Sequence, residues 1–232
     1  MPSVLITGAN RGLGLEFARQ YGHDGWRVFG CCRNPDKAKE LTELAAASGG
    51  GITVHPLDVA RGDSVAALSE ALEGEAVDLL IGNAAIYGDE ERADFGSLDY
   101  DRWAETFSIN VMGAMRVVEA FADRVASSEK KTLAFVSSLM GSIADNGSGG
   151  AYLYRSSKAA LNAVAKSLAV DLKGRGLISV ILHPGWVKTD MGGENAPLLA
   201  PESVSGMREV LDGLRPEDSG RFLSYSGAEL PW

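Results

Sequence analysis

A chain of 232 residues is long enough for one large α/β domain with a sizeable core, and its 45% hydrophobic and 23% charged residues argue against disorder. The 22 basic residues set against 31 acidic ones leave a net charge of −9, which repels a phosphate backbone and argues against nucleic acid as a partner. Glycine, at 28 residues and without a collagen period, points to tight turns and close approaches of backbone to a ligand.

The first residues, Met1 to Gly8, carry no basic leader and only a short apolar run, which argues against a signal peptide. No stretch approaches the roughly 20 apolar residues of a membrane span. Strand-length apolar runs then alternate with stretches of helical spacing. In order these are strand Ser3 to Ile6, helix Gly12 to Asp24, strand Arg27 to Cys31, helix Pro35 to Ala47, strand Ile52 to Pro56 and helix Ser64 to Leu72. Strand Asp78 to Ile81, helix Asp101 to Ser127, strand Thr132 to Ser137 and helix Tyr152 to Lys173 follow. Strand Ile178 to His183, helix Pro201 to Leu211 and strand Arg221 to Tyr225 complete the series. Continuous apolar strands are covered on both faces, so the sheet is expected to be parallel. Right-handed βαβ crossovers then give a single Rossmann-type, doubly wound parallel sheet of about seven strands, with ligands at the carboxyl ends of the strands. Neither an internal repeat nor an interdomain linker is visible, so residues 1–232 are expected to form one domain. The cysteines, Cys31 and Cys32, are adjacent and cannot join separate elements, which excludes a disulfide framework and fits a reducing cytoplasm.

The first strand runs into Thr7-Gly8-Ala9-Asn10-Arg11-Gly12-Leu13-Gly14, which opens a helix. In such a strand, glycine turn and helix, Gly8 permits the turn, Gly12 lets the backbone approach a diphosphate, and Gly14 lets the helix pack on the strand. The helix N-terminus supplies free N–H groups and partial positive charge. An Asp or Glu at the end of the second strand would hold the adenosine ribose of NAD, but this chain reads Phe29-Gly30-Cys31-Cys32-Arg33-Asn34. Arg33 and Arg11 instead flank the position of a 2′-phosphate, so NADP(H) is expected in preference to NAD(H).

Tyr154 and Lys158, four residues apart, share one helix face. They follow an apolar strand that ends in Val136-Ser137-Ser138, with Gly141 close behind. In order, Asn110, Ser138, Tyr154 and Lys158 resemble the catalytic tetrad of the short-chain dehydrogenase/reductase family, and the resemblance extends over essentially the whole chain. Asp58-Val59 resembles the family's adenine contact, and Asn83-Ala84 its asparagine-alanine-glycine motif, with Gly82 and Ala85 departing from the usual residues. Pro184-Gly185-Trp186-Val187-Lys188-Thr189 resembles the PGxxxT segment, in which Val187 and Thr189 hold the nicotinamide carboxamide. The stretch from Ser138 to Gly150 and the sequence Glu229-Leu230-Pro231-Trp232 resemble the branch containing C-factor and the sniffer-type carbonyl reductases. The gap of 16 positions from Ser138 to Tyr154 is a few longer than usual. Ser137 and Ser142 are rival positions for the serine, and Ser138 is preferred as the second serine of Ser-Ser-x-x-Gly.

The resemblance implies hydride transfer between a nicotinamide and a small carbonyl or alcohol substrate. Ser138 would donate a hydrogen bond to the reacting oxygen, and Tyr154 would act as general acid. Lys158 would hold the nicotinamide ribose and lower the Tyr154 pKa, while Asn110 would position a relay water. The C-factor likeness suggests, as the alternative, an NADP-binding signalling protein with little turnover. A serine hydrolase lacks its G-x-S-x-G elbow here. His23, His55 and His183 read as surface or strand-end residues, and no metal-ligand spacing is present. A short lid over residues 190–213 is expected to leave the site open to aldehydes and ketones. The Asp101 to Ser127 helix, with Trp103, Phe107, Met112, Met115, Val118 and Phe121, serves mainly as core, and a residual apolar face suits a homodimer or homotetramer.

Overall fold

The computed structural model describes residues 1–89 and 95–232. Strands β1 (Ser3–Thr7), β2 (Arg27–Cys32), β3 (Ile52–Pro56) and β4 (Leu79–Gly82) form half of the sheet. Strands β5 (Thr132–Val136), β6 (Ile178–His183) and β7 (Phe222–Ser224) form the rest. Helices α1 (Gly12–His23), α2 (Lys39–Ala47), α3 (Gly62–Ala71) and α4 (Tyr100–Phe107) are followed by α5 (Ala114–Ser127), α6 (Tyr152–Asp171) and α7 (Ala200–Asp212). The seven strands lie in the order β3-β2-β1-β4-β5-β6-β7, every neighbouring pair parallel. Each strand starts and ends within one residue of the sequence expectation, and for the central strands β1, β4 and β5 the reason is an apolar run covered on both faces.

Side chains alternate across the sheet and feed two cores. On one side Val4 and Ile6 of β1 pack with Phe17 and Tyr21 of α1, Leu41 of α2 and Met207 of α7. On the other, Leu5 packs with Leu68 of α3, Phe121 of α5 and Leu161 of α6. Each fully buried Leu or Phe contributes about 1.5–3 kcal/mol.

Two of the expected helices are interrupted. The Pro35 to Ala47 stretch begins as a 3-10 turn at Pro35–Lys37, and α2 starts at Lys39 after Ala38, which leaves helical geometry while its side chain enters the core. The Asp101 to Ser127 stretch is divided by a π-helical segment, Ser108–Gly113, between α4 and α5. Its extra residue turns the Asn110 amide toward Ile86, and π segments of this kind concentrate at functional sites. Of the expected lid, α7 buries Val204 and Met207 against the helices beside it, so only the residues before it border open space. Among the described residues no helix is long and apolar enough to cross a membrane.

Candidate active site

The strand order reverses between β1 and β4, and the loops leaving their carboxyl ends diverge there. A cleft of about 700 Å³ occupies that crevice. Gly8, Asn10, Arg11, Gly12 and Leu13 line it, as do Asn83 and Ala84 at the end of β4. Asn83 staples the two loops together, since its Nδ2 donates to the carbonyls of Thr7 (2.9 Å) and Gly8 (3.2 Å). The Thr7 hydroxyl accepts from the backbone N–H groups of Asn83 and Ala84, both at 3.0 Å.

Gly14 lies beneath the cleft rather than on its wall. A Cβ there would collide with the Gly8 carbonyl oxygen and sit 2.6 Å from Asn83 Nδ2. The helix therefore approaches the turn closely enough to aim its N-terminus at the crevice. Gly14→Ala is expected to cost about 3 kcal/mol of stability and to weaken dinucleotide binding more than about tenfold. Thermal denaturation and a fluorescence titration check this, and unchanged values would show that the helix start shifts freely.

At the far end of the cleft, Arg33 lies on the wall beside Cys32, with Asp58 and Val59 across from it. Lys37 joins them, and neither it nor Arg33 is ion-paired among the described residues. Sequence reasoning overlooked Lys37, although the Pro35 turn places it four positions after Arg33. Arg11 instead makes an ion pair with Asp190 at 2.6 Å, reaching from the glycine loop to the segment after β6. Both of these side chains are largely exposed, so the pair is weak and exchangeable for a phosphate.

At the near end, Ser138, Tyr154 and Lys158 meet on one wall. Gly141 makes this possible, because any side chain there would press on Lys158, with a Cβ 2.8 Å from the Lys158 carbonyl carbon. The Ser138 hydroxyl lies near enough to the Tyr154 phenol to draw its pKa down in part, and Lys158 Nζ sits 5.6 Å from the centre of the tyrosine ring. Ser137 points away, donating to Asn162 Oδ1 at 2.6 Å, and Ser142 donates to the Trp232 carbonyl at 3.1 Å. His183 Nδ1 accepts from the Leu139 N–H at 3.2 Å, bracing the turn after Ser138. Burial holds its pKa down to about 4, so the accepting nitrogen stays free of a proton. This support was not legible from a strand-end histidine.

Asn110 is near this group but outside the large cleft. Its amide exchanges two hydrogen bonds of 2.9 Å with the Ile86 backbone and donates to Ser157 Oγ at 3.0 Å. Its amide hydrogens are thus used in joining the loop after β4 to α6. In the protein alone, burial pushes the Tyr154 phenol up to about 12, offset only in part by the neighbouring Ser138 hydroxyl, and Lys158 is not among the groups that shift it. Lys158 itself is pushed down to about 8 by burial.

After β6, Pro184, Gly185, Val187 and Thr189 line the same wall. The Thr189 hydroxyl accepts from Gly192 N–H at 3.2 Å and Trp186 Nε1 donates to the Gly192 carbonyl at 2.7 Å, folding the segment over the cleft. Tyr87, Met140, Trp186 and Met191 surround the mouth beside Tyr154, an apolar rim that motif reading did not reach. Among the described residues, no group of three or more His, Cys, Asp or Glu side chains is placed to hold a metal ion.

The model of the short chain dehydrogenase family matches residues 2–198. The C-signal protein of Myxococcus xanthus is 50% identical over 156 residues, covering 67% of this chain and 93% of that protein. Among solved structures, carbonyl reductase Sniffer of D. melanogaster is 33% identical with a TM-score of 0.90 and full coverage of both chains. An NADPH-bound carbonyl reductase from chicken fatty liver is 34% identical, also with a TM-score of 0.90, covering 100% of this chain and 99% of that one.

Proposed function

The chain belongs to the short-chain dehydrogenase/reductase family, and from that membership we propose that it is an NADP(H)-dependent carbonyl reductase acting on small aldehydes or ketones. The observation that carries this reading is the placing of Ser138, Tyr154 and the buried Lys158 together in the cleft that the glycine loop also lines.

The residues present fit a dinucleotide. Gly12 has nothing closer than 3.5 Å to where a Cβ would stand, which leaves its backbone open to a diphosphate. The buried Lys158 ammonium has three donors but one acceptor among the described residues, the Val136 carbonyl at 2.9 Å, so it suits ribose hydroxyls. Gly8, Asn10, Leu13 and Asn83 with Ala84 would frame the diphosphate, Asp58 and Val59 the adenine, and Pro184, Gly185, Val187 and Thr189 the nicotinamide. When bound, the reduced nicotinamide supplies the hydride for the carbonyl carbon. Ser138 Oγ donates to the substrate oxygen as charge develops there, and Tyr154 Oη delivers its proton to the same atom. Lys158 orients the phenol, and Asn110 fixes the spacing between the loop after β4 and α6. Residues 186–192 act as a short cover within a single 1–232 domain, and the apolar rim favours neutral substrates. The complete Ser138, Tyr154 and Lys158 group supports turnover over a signalling role without it. The buried thiols Cys31 and Cys32 suit a reducing cytoplasm.

The absence of a carboxylate at the end of β2, together with Arg33 and Lys37, supports selection of NADP(H) over NAD(H). Arg33→Ala and Lys37→Ala are each expected to weaken NADPH binding about 10- to 100-fold, the loss of a charge-assisted bond, with NADH affinity unchanged. A turnover screen of aldehydes, ketones and alcohols with both cofactors tests the whole reading. Equal use of the two cofactors would overturn the preference, and absence of turnover with every carbonyl would overturn the activity.

A further inference from the structure

The helix that carries Tyr154 and Lys158 has no cap of its own. Ala151, before its first turn, has φ 45° and ψ 48° and offers no side-chain hydrogen bond. The nearest preceding hydroxyl, on Ser148, is engaged by Arg155 at 2.8 Å. The first-turn N–H groups reach instead to the loop after β4, where Leu153 N donates to Asp89 Oδ1 at 3.2 Å and Tyr154 N to Asp89 Oδ2 at 2.8 Å. These partners are 64 and 65 positions apart in sequence. Two residues before Asp89, the Tyr87 ring packs on that of Tyr154 with centroids 4.9 Å apart. One residue earlier still, the Ile86 backbone is held by Asn110. Residues 86–89 therefore form a strap pinned at both ends, with Tyr87 pressed between them on the tyrosine of the site.

We propose that Asp89 is a positioning residue for the proton donor: its two carboxylate oxygens cap α6 from outside the helix, fix Tyr154 against Ser138 and hold Tyr87 on the tyrosine ring. This rests on the reading of Tyr154 as the general acid. The groups facing Tyr154 are Tyr87, the Ser138 hydroxyl and the Lys158 ammonium. The Asp89 charge acts on the Tyr87 hydroxyl, whereas the Tyr154 phenol responds to burial, Ser138 and Tyr87. Asp89 thus reaches the reaction through the backbone it caps rather than through its field.

The test compares Asp89→Ala, Asp89→Asn and Tyr154→Phe in the full chain, with NADPH and 4-nitrobenzaldehyde as the probe. Asp89→Ala is expected to lower kcat by at least about tenfold, the usual scale for a misplaced reacting group, with NADPH affinity by fluorescence unchanged. The KM for 4-nitrobenzaldehyde changes less than kcat, because the mouth of the cleft keeps its lining while the phenol moves. Asp89→Asn keeps one acceptor oxygen and restores kcat to within about threefold. Should Asp89→Ala fail to fold, Asp89→Ser, with a single acceptor, replaces it with the same expected direction. Unchanged kcat in the alanine variant would overturn the proposal. An asparagine variant as impaired as alanine would overturn it equally, because the charge rather than the cap would then be acting. Retained turnover in Tyr154→Phe would defeat the general-acid reading itself, whereas an inactive Tyr154→Phe beside an unaffected Asp89→Ala defeats the Asp89 inference alone.

Discussion

Tyr154→Phe is expected to lower kcat for carbonyl reduction by about 10²- to 10⁴-fold, the range for a positioned general acid, while cofactor affinity and folding change little. The phenol is buried and a single hydrogen bond of its hydroxyl is worth only about 1 kcal/mol net, so the ring alone keeps most of the packing. The Ser138 hydroxyl retains the Met140 N–H at 3.1 Å as a partner. Because burial pushes the phenol up to about 12, the proton is in place across the neutral range and reduction needs no further ionisation. Alcohol oxidation needs the phenolate, so its rate is expected to climb with pH while reduction stays level and falls only on the alkaline side. Steady-state rates in both directions over a pH series check this. A variant within tenfold of the parent, or reduction that fails first on the acid side, would remove Tyr154 from the role.

The parts of this site that were legible in sequence are those encoded by local spacing. Tyr154 and Lys158 are one turn apart on a helix whose apolar face is plain, and the glycine loop joins a clear strand to a clear helix. The strands could be placed because a doubly covered strand must be apolar throughout. The preference for Ser138 over Ser137 and Ser142 rests in sequence on the Ser-Ser-x-x-Gly pattern alone, whereas the partners that occupy the two rivals lie 25 and 90 positions away. Contacts across long sequence separations were not legible at all. The Asp89 cap, the Arg11 pair with Asp190 and the Asn110 clamp on Ile86 each join segments that sequence periodicity treats independently. The π segment was hidden for another reason. Ile109, Asn110 and Val111 are all buried, so one extra residue per turn over six positions leaves the apolar pattern readable as a continuous helix.

Lys158→Met is expected to abolish most turnover and, in the cofactor-free protein, to raise stability near neutral pH. Lys158 is 3% exposed, and burial lowers its pKa from 10.5 to about 8. The unfolded chain therefore holds the proton more tightly than the folded one. Below about pH 8 the cost of burying the charge is fully present, and it fades as pH rises toward the unfolded value. The shift corresponds to about 3 kcal/mol. Methionine removes that cost and fills similar volume, but it orphans the Val136 carbonyl, an offset of about 1 kcal/mol. The variant should thus gain about 2 kcal/mol near pH 7, with the gain vanishing near the unfolded pKa. Urea denaturation of both proteins, near neutral and at about pH 10, measures this difference. Saturating NADPH should close the gap, since the donors that Lys158 leaves unfilled would then be partnered in the parent alone. A variant less stable than the parent at neutral pH, or a gap that ignores pH, would mean that the ammonium is better solvated than its position implies. The predicted pattern would make Lys158 a charge retained for the reaction against the preference of the fold.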